Sequence, residues 1–142
     1  MKPHDLACLA MAAFNARDEG GLRALWTKDF HFIGPDGESH GAEAMLERER
    51  GLWRAFADVK ASVKTVCAGE EVAVLETTMS GTHTGPLSLG DRELAPTGRP
   101  LTLVFSVHVW FRDGLASGER VFYDRLGLLR QLGVAADQLE SA

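Results

Sequence analysis

The sequence predicts an α+β fold: helices from the first half packed over a curved antiparallel sheet built mainly by the second half. Three observations lead there. Apolar residues recur at helical spacing over much of the stretch from His4 to Phe56. After Asp58 the repeat shortens to two, the period of a half-buried strand. Asp113-Gly114 then separates two β-rich runs, a strong hairpin signal. Strands joined by hairpins and preceded by helices describe a layered α+β domain, not a parallel βαβ array.

From His4 to Arg17, Leu6, Leu9, Ala10, Ala13 and Phe14 share one helical face, and Gly20-Gly21 is expected to stop the helix. A short helix follows, with Leu22, Leu25 and Trp26 on a common side. Phe30 to Ile33 reads as a short strand and Gly34-Pro35-Asp36-Gly37 as a turn. From Gly41 a longer helix gathers Ala42, Met45, Leu46, Glu49, Leu52, Trp53 and Phe56 on one face. Strands are expected from Val59 to Cys67, from about Val72 to His83, from Leu101 to Phe111 and from Leu115 to Tyr123. Asp124 caps a final helix, Arg125 to Leu132, which Gly133 ends. The segment from Gly85 to Pro100, rich in Gly and Pro, is a long loop suited to covering one end of a cavity. The expected organisation is one domain over residues 1–133 with a tail over 134–142.

A chain of 142 residues is long enough to bury roughly 70% of its unfolded surface in one domain. The net charge of -5 and the scattered basic residues argue against nucleic acid and against anionic membrane surfaces. No apolar run approaches the ~18 residues that span a bilayer, and Met1-Lys2-Pro3-His4-Asp5 lacks a signal-peptide plan, so a cytoplasmic protein is expected. Cys8 and Cys67 lack metal-knuckle or redox spacing and are expected to be free, buried thiols.

Several stretches carry a resemblance. Gly81-Thr82-His83-Thr84-Gly85-Pro86, Pro96-Thr97-Gly98-Arg99, Phe111-Arg112-Asp113-Gly114, and Tyr123-Asp124 followed by Leu128-Leu129-Arg130-Gln131-Leu132-Gly133 resemble the SnoaL-like polyketide cyclase branch of the nuclear transport factor 2-like superfamily. The resemblance implies a cone-shaped domain, a pocket between the helices and the concave sheet face, and commonly a homodimer. Relatives include aldol-type cyclases, steroid isomerases, dehydratases, epoxide hydrolases and non-catalytic binding domains, so function has to be argued from the site. The position that matches the cyclases' aspartate on the last strand is Val121 here. Thr77 to Gly81 lacks the Arg-x-Asp of the epoxide hydrolases, and Phe32-Ile33-Gly34-Pro35 lacks the steroid isomerases' aspartate.

The hairpin supplies an expected geometry. With Arg112 opposite Leu115, regular pairing sets His108 opposite Glu119 and Val104 opposite Tyr123, each pair on one face and about 5 Å apart at Cβ. The pocket face would then carry Ser106, His108, Trp110, Glu119, Val121 and Tyr123. His108 is the expected general base, Glu119 its orienting partner, and Tyr123 a hydrogen-bond donor to a developing enolate oxygen. Asp124 is either a reserve acid at the rim or a helix cap. Trp26, Phe32, Trp53, Phe56 and His83 complete the expected substrate-binding set; Trp26, Trp53, Phe56 and Trp110 also read as plain core, and His83 as structural. His4, His31, His40, His83 and His108 show no HxH or HxxxH spacing, so no metal and no cofactor is expected. The expected function is a small-molecule pocket protein: a cofactor-free acid–base enzyme of the cyclase, isomerase or lyase type acting on a hydrophobic carbonyl compound. The alternative is a non-catalytic binding module for a small hydrophobic ligand.

Overall fold

The computed structural model describes residues 2–90 and 92–135. Helix α1 (Pro3–Ala16) begins with proline in its first turn and ends at Arg17, whose φ of 54° is left-handed. Asp18 then caps α2 (Glu19–Leu25) by accepting the Gly21 N–H at 2.9 Å. The expected stop at Gly20-Gly21 therefore falls inside α2. A Cβ on Gly21 would lie 2.5 Å from the Asp18 carboxylate, so glycine there lets the cap close.

Strand β1 (Trp26–Gly34) turns through Pro35-Asp36 into β2 (Gly37–His40), a strand the sequence reading did not foresee. Helix α3 (Ala42–Ala55) follows and packs against β1. The large strands are β3 (Lys60–Ala68), β4 (Val72–Thr82), β7 (Pro100–Arg112) and β8 (Leu115–Phe122). Between β4 and β7, the expected loop contains a small hairpin of β5 (Leu87–Leu89) and β6 (Arg92–Leu94). Asp124 caps α4 (Arg125–Gln131), accepting the Gly127 N–H at 2.8 Å.

The main sheet has the order β2-β1-β8-β7-β4-β3 and is open at both edges. All neighbours are antiparallel except β1 and β8, which run parallel and make the sheet mixed. Gly118 permits that pairing, because a Cβ there would meet the His31 carbonyl oxygen at 2.6 Å. The concave face carries Leu75, Thr77 and Met79 of β4 with Leu103, Val107 and Val109 of β7, all buried under α1 and α3. Cys8 and Cys67 are free, but exposed rather than buried. For Cys67 the cause is a register shift between Thr65 and Cys67, which breaks the alternation of β3.

The β7–β8 hairpin corrects one expectation that matters for the site. Its turn is as expected, with Asp113 and Gly114 both at positive φ and Arg112 opposite Leu115. The register then shifts by one residue. Phe111 faces Ala116, yet Trp110 faces Gly118, leaving Ser117 as an extra residue in β8. Beyond it Val109 faces Glu119, His108 faces Arg120, and Val107 faces Val121. Since paired residues share a face, the expected pocket set is split. Glu119, Val121 and Tyr123 stay concave, whereas Ser106, His108 and Trp110 belong to the convex face with Val104 and Phe122. The proposed C-terminal tail falls mostly on residues 136–142, outside the described residues.

Candidate functional site

Two adjoining cavities lie between the helices and the concave face, sharing Met79 and Phe105 as a common wall. The larger, about 390 Å³, is lined by α3, β5, β7, β8 and the β1–β2 turn. It is of a size that holds a small organic molecule. Leu87, Ser88, Leu89 and Gly90 form one wall, so the Gly/Pro-rich segment does cover an end of the cavity. That segment is fixed to α3, whose terminal Ala55 carbonyl accepts the Thr84 and Gly85 N–H groups at 2.9 and 3.0 Å. The smaller cavity, about 110 Å³, is lined chiefly by apolar side chains of α1, β4 and β7, but Glu49 and Glu119 also face it.

These two carboxyls are the strongest chemical feature of the interior. Glu49 projects from the apolar side of α3, and Glu119 from the concave face of β8. Both side chains are partly accessible, and both line the cavity. Burial pushes the Glu119 carboxyl up from 4.5 to about 7, against a smaller opposing pull from Arg48. Burial pushes Glu49 up to about 8, with the neighbouring Glu119 charge adding to the rise. Arg48 stands beside them with its guanidinium carbon 3.8 Å from the Phe32 ring centroid. Burial lowers its own basicity, while Asp36, Glu49, Tyr123 and Glu119 favour its charge.

A second polar group borders the larger cavity. Tyr123 donates its hydroxyl proton to Asp36 Oδ2, and Arg125 Nε donates to Asp36 Oδ1 at 2.6 Å. Asp36, in the β1–β2 turn, thereby ties the hairpin to the start of α4. Burial and the Asp36 carboxylate both raise the Tyr123 phenol well above its usual range. Its single proton is committed to Asp36, which leaves none to offer an enolate oxygen in this arrangement.

The other expected site residues fall as follows. His108 lies half-buried on the convex face, its ring 5.2 Å from that of Phe122, and is in neither cavity. Ser106 and Trp110 share that face, Trp110 being 37% exposed. The expected His108–Glu119 pair therefore does not form, the extra residue in β8 being the cause. Val121 and Phe56 line the larger cavity and Trp26 the smaller. Phe32 is buried beneath Arg48, and Trp53 packs on Phe14 with ring centroids 5.7 Å apart. His83 is fully buried; its Nδ1 accepts the Thr97 N–H at 3.2 Å and lies 3.0 Å from Thr97 Oγ1. Its backbone bonds Gly98 and Arg99, so it staples the long loop to the end of β4. Burial holds its imidazole below the usual range.

Glu49, Arg48 and Asp36 are not among the residues to which the sequence assigns chemistry. Glu49 had a signal: a carboxylate within the apolar stripe of an amphipathic helix is a buried-charge flag. Arg48 and Asp36 had none, because helix surfaces and turns ordinarily carry such residues.

Comparison with solved structures matches this architecture. TsrD from Streptomyces laurentii is 27% identical, with a TM-score of 0.80 over 93% of this chain and 95% of that one. IdmH from Streptomyces antibioticus, a candidate polyketide cyclase, is 27% identical with a TM-score of 0.77, over 94% of this chain and 100% of its own. A SnoaL-like candidate cyclase from Jannaschia sp. CCS1, at 19% identity and a TM-score of 0.81 over 93% and 92% of the two chains, shares the fold. The sequence matches no curated protein. The family model for the SnoaL-like polyketide cyclases matches residues 5–132, and the chain belongs to that family.

Proposed function

We propose that the protein is a cofactor-free acid–base enzyme acting on a small, largely apolar carbonyl compound, with Glu119 as the base and Glu49 as its neutral partner. The observation that carries this reading is a pair of carboxyls facing one apolar cavity, with proton affinities raised to about 7 and about 8. At neutral pH such a pair supplies one carboxylate that accepts a proton and one carboxylic acid that donates a hydrogen bond. Glu119 would take a proton from the carbon next to the carbonyl. The C–H electron pair moves into the enolate, whose oxygen accepts the Glu49 O–H. The proton then returns at another carbon, or the enolate carbon attacks a second carbonyl. His108, on the convex face, is replaced in the base role by Glu119. Tyr123 and Asp124 become a wall and a helix cap.

The second reading is a binding module for a small hydrophobic ligand. Its support is Val121, an apolar side chain on the larger cavity at the position that matches the cyclases' aspartate. One experiment separates the two: deuterium uptake from D2O at the α-carbon of a panel of ketones graded in size from acetone and cyclopentanone up to aromatic and bicyclic ones, followed by NMR. Uptake by the wild type that is lost in Glu119→Gln and kept in His108→Ala supports the enzyme. Ligands that quench tryptophan fluorescence without any uptake support the module. Unchanged uptake in Glu119→Gln defeats the assignment of the base.

We also propose a homodimer formed through the convex face, where Val104 (54% exposed), Phe122 (46%) and Trp110 (37%) form an apolar stripe. Sedimentation of Phe122→Glu beside the wild type tests it, a wild-type monomer being the contrary result. Among the described residues no helix is long and apolar enough to cross a membrane. Free, exposed thiols suit a reducing, cytoplasmic setting, which fractionation checks.

A further inference from the structure

The β1–β2 hairpin brings three potential metal ligands together on its outer face. His31 and His40 are directly opposed across the two strands, and Glu38 faces Ile33, two residues further along β1. Positions 31, 33, 38 and 40 all lie on the side away from the cavity, since the intervening Phe30 and Phe32 are core. The imidazoles stack with centroids 4.4 Å apart and planes 14° from parallel. His31 Nε2 is 2.6 Å from Glu38 Oε2. One ligand atom from each of the three residues lies within 4.8 Å of the others.

We propose that His31, Glu38 and His40 form a binding site for a divalent transition-metal ion of the zinc class, separate from the acid–base cavity. The donor set is two imidazoles and one carboxylate, which suits Zn²⁺ and disfavours Mg²⁺ or Ca²⁺. Zinc bonds of about 2.0–2.2 Å imply neighbouring ligand atoms roughly 3.3 Å apart in a tetrahedron. The His31–Glu38 contact must open slightly and the His40 ring must rotate toward it, changes within reach of side-chain torsions on a fixed backbone. Two strands held in register supply that backbone. Glu38 and His40 are exposed and β2 is an edge strand, so water completes the coordination. Arg120, a cation on the adjoining strand, lies over the Phe122 ring with its guanidinium carbon 5.2 Å from the centroid. The linear sequence conceals the site, because His31 and His40 meet only through the hairpin.

Bound metal would cross-link the two strands whose turn carries Asp36. The site therefore sits where it can brace the turn that holds Tyr123 and Arg125. That consequence has a readout independent of turnover: thermal unfolding of the untagged chain with and without Zn²⁺.

The test is calorimetric titration of untagged, chelator-treated full-length protein with ZnCl₂, and with CoCl₂ for the visible d–d spectrum. One ion per chain is expected, with a rise in Tm. His31→Ala, His40→Ala and Glu38→Ala should each weaken binding at least as much as losing an outer-shell partner, about 10–100-fold. Cys8→Ser is the control, because His4 Nε2 and Cys8 Sγ lie 3.6 Å apart on α1 and offer a rival pair of ligands. Full-strength binding in Cys8→Ser with loss in His31→Ala supports the hairpin site. Binding abolished by Cys8→Ser, unaltered by the three hairpin variants, or absent at millimolar Zn²⁺ overturns it.

Discussion

Replacing Glu119 by Gln should make the protein more stable in mildly alkaline solution while leaving acid stability almost unchanged. Glu119 is a carboxyl whose proton affinity rises on folding, from 4.5 to about 7. Between those values the folded state holds a proton that the unfolded state has released, so stability falls as pH rises through the interval. The stabilising protonation is fully present below 4.5 and lost once the pH passes about 7. At about 1.4 kcal/mol per tenfold change, the penalty for ionising the folded protein approaches about 3 kcal/mol. That is a large share of a domain stability of about 5–15 kcal/mol. Gln keeps the shape and hydrogen-bonding capacity of the neutral acid but cannot ionise. Urea unfolding followed by tryptophan fluorescence should show the two proteins within about 1 kcal/mol at about pH 4.5 and separated by up to about 3 kcal/mol at about pH 8.5. A Glu49→Gln variant should show the same pattern, with its separation developing up to about 8. Parallel stability curves for wild type and Glu119→Gln would mean that this carboxyl ionises as freely in the fold as in water. The acid–base reading of the cavity would fall with it.

Gly118→Ala should cost about 1–3 kcal/mol by overpacking, because its Cβ would meet the His31 carbonyl at 2.6 Å; urea unfolding measures this, and a neutral result would refute the close β1–β8 approach. Asp124→Ala removes the carboxylate that accepts the Gly127 N–H and should cost about 1 kcal/mol without altering α-carbon exchange. Loss of exchange in a stably folded Asp124→Ala protein would return this residue to the chemistry.

The helices were legible because their apolar spacing is set by residues that must be buried together, as Leu46 and Phe56 are. The long strands were legible from alternation, and the turn at Asp113-Gly114 from backbone chemistry that few residue pairs tolerate. The parallel β1–β8 contact was not. It joins segments some ninety residues apart, and no local pattern in Trp26–Gly34 distinguishes a parallel neighbour from an antiparallel one. Strand β2 was hidden for another reason: Gly37-Glu38-Ser39-His40 has no apolar alternation, and it forms only because β1 offers it an edge.

The candidate site depends on a smaller feature with larger consequences. In a strand, one extra residue reverses which side chains share a face with the partner strand. Ser117 is that residue, and it separates a regular turn from a regular ladder. Pairing carried straight back from the turn therefore joins the concave half of β8 to the convex half of β7, uniting Glu119 with His108. The burial alternation of β7 argues against that union, since Leu101, Leu103, Val107 and Val109 are the apolar series and have to face the helices. Gly118 within the strand was the other warning, because glycine there often marks a bulge or a close backbone approach. With the register corrected, Glu119 loses its histidine and gains Glu49. An imidazole–carboxylate pair would have kept the carboxylate ionised and raised the histidine. Two carboxyls in an apolar cavity do the reverse, each resisting ionisation and one more than the other. In the proposed mechanism the acid and the base thus arise from the same residue type, distinguished only by position within the fold.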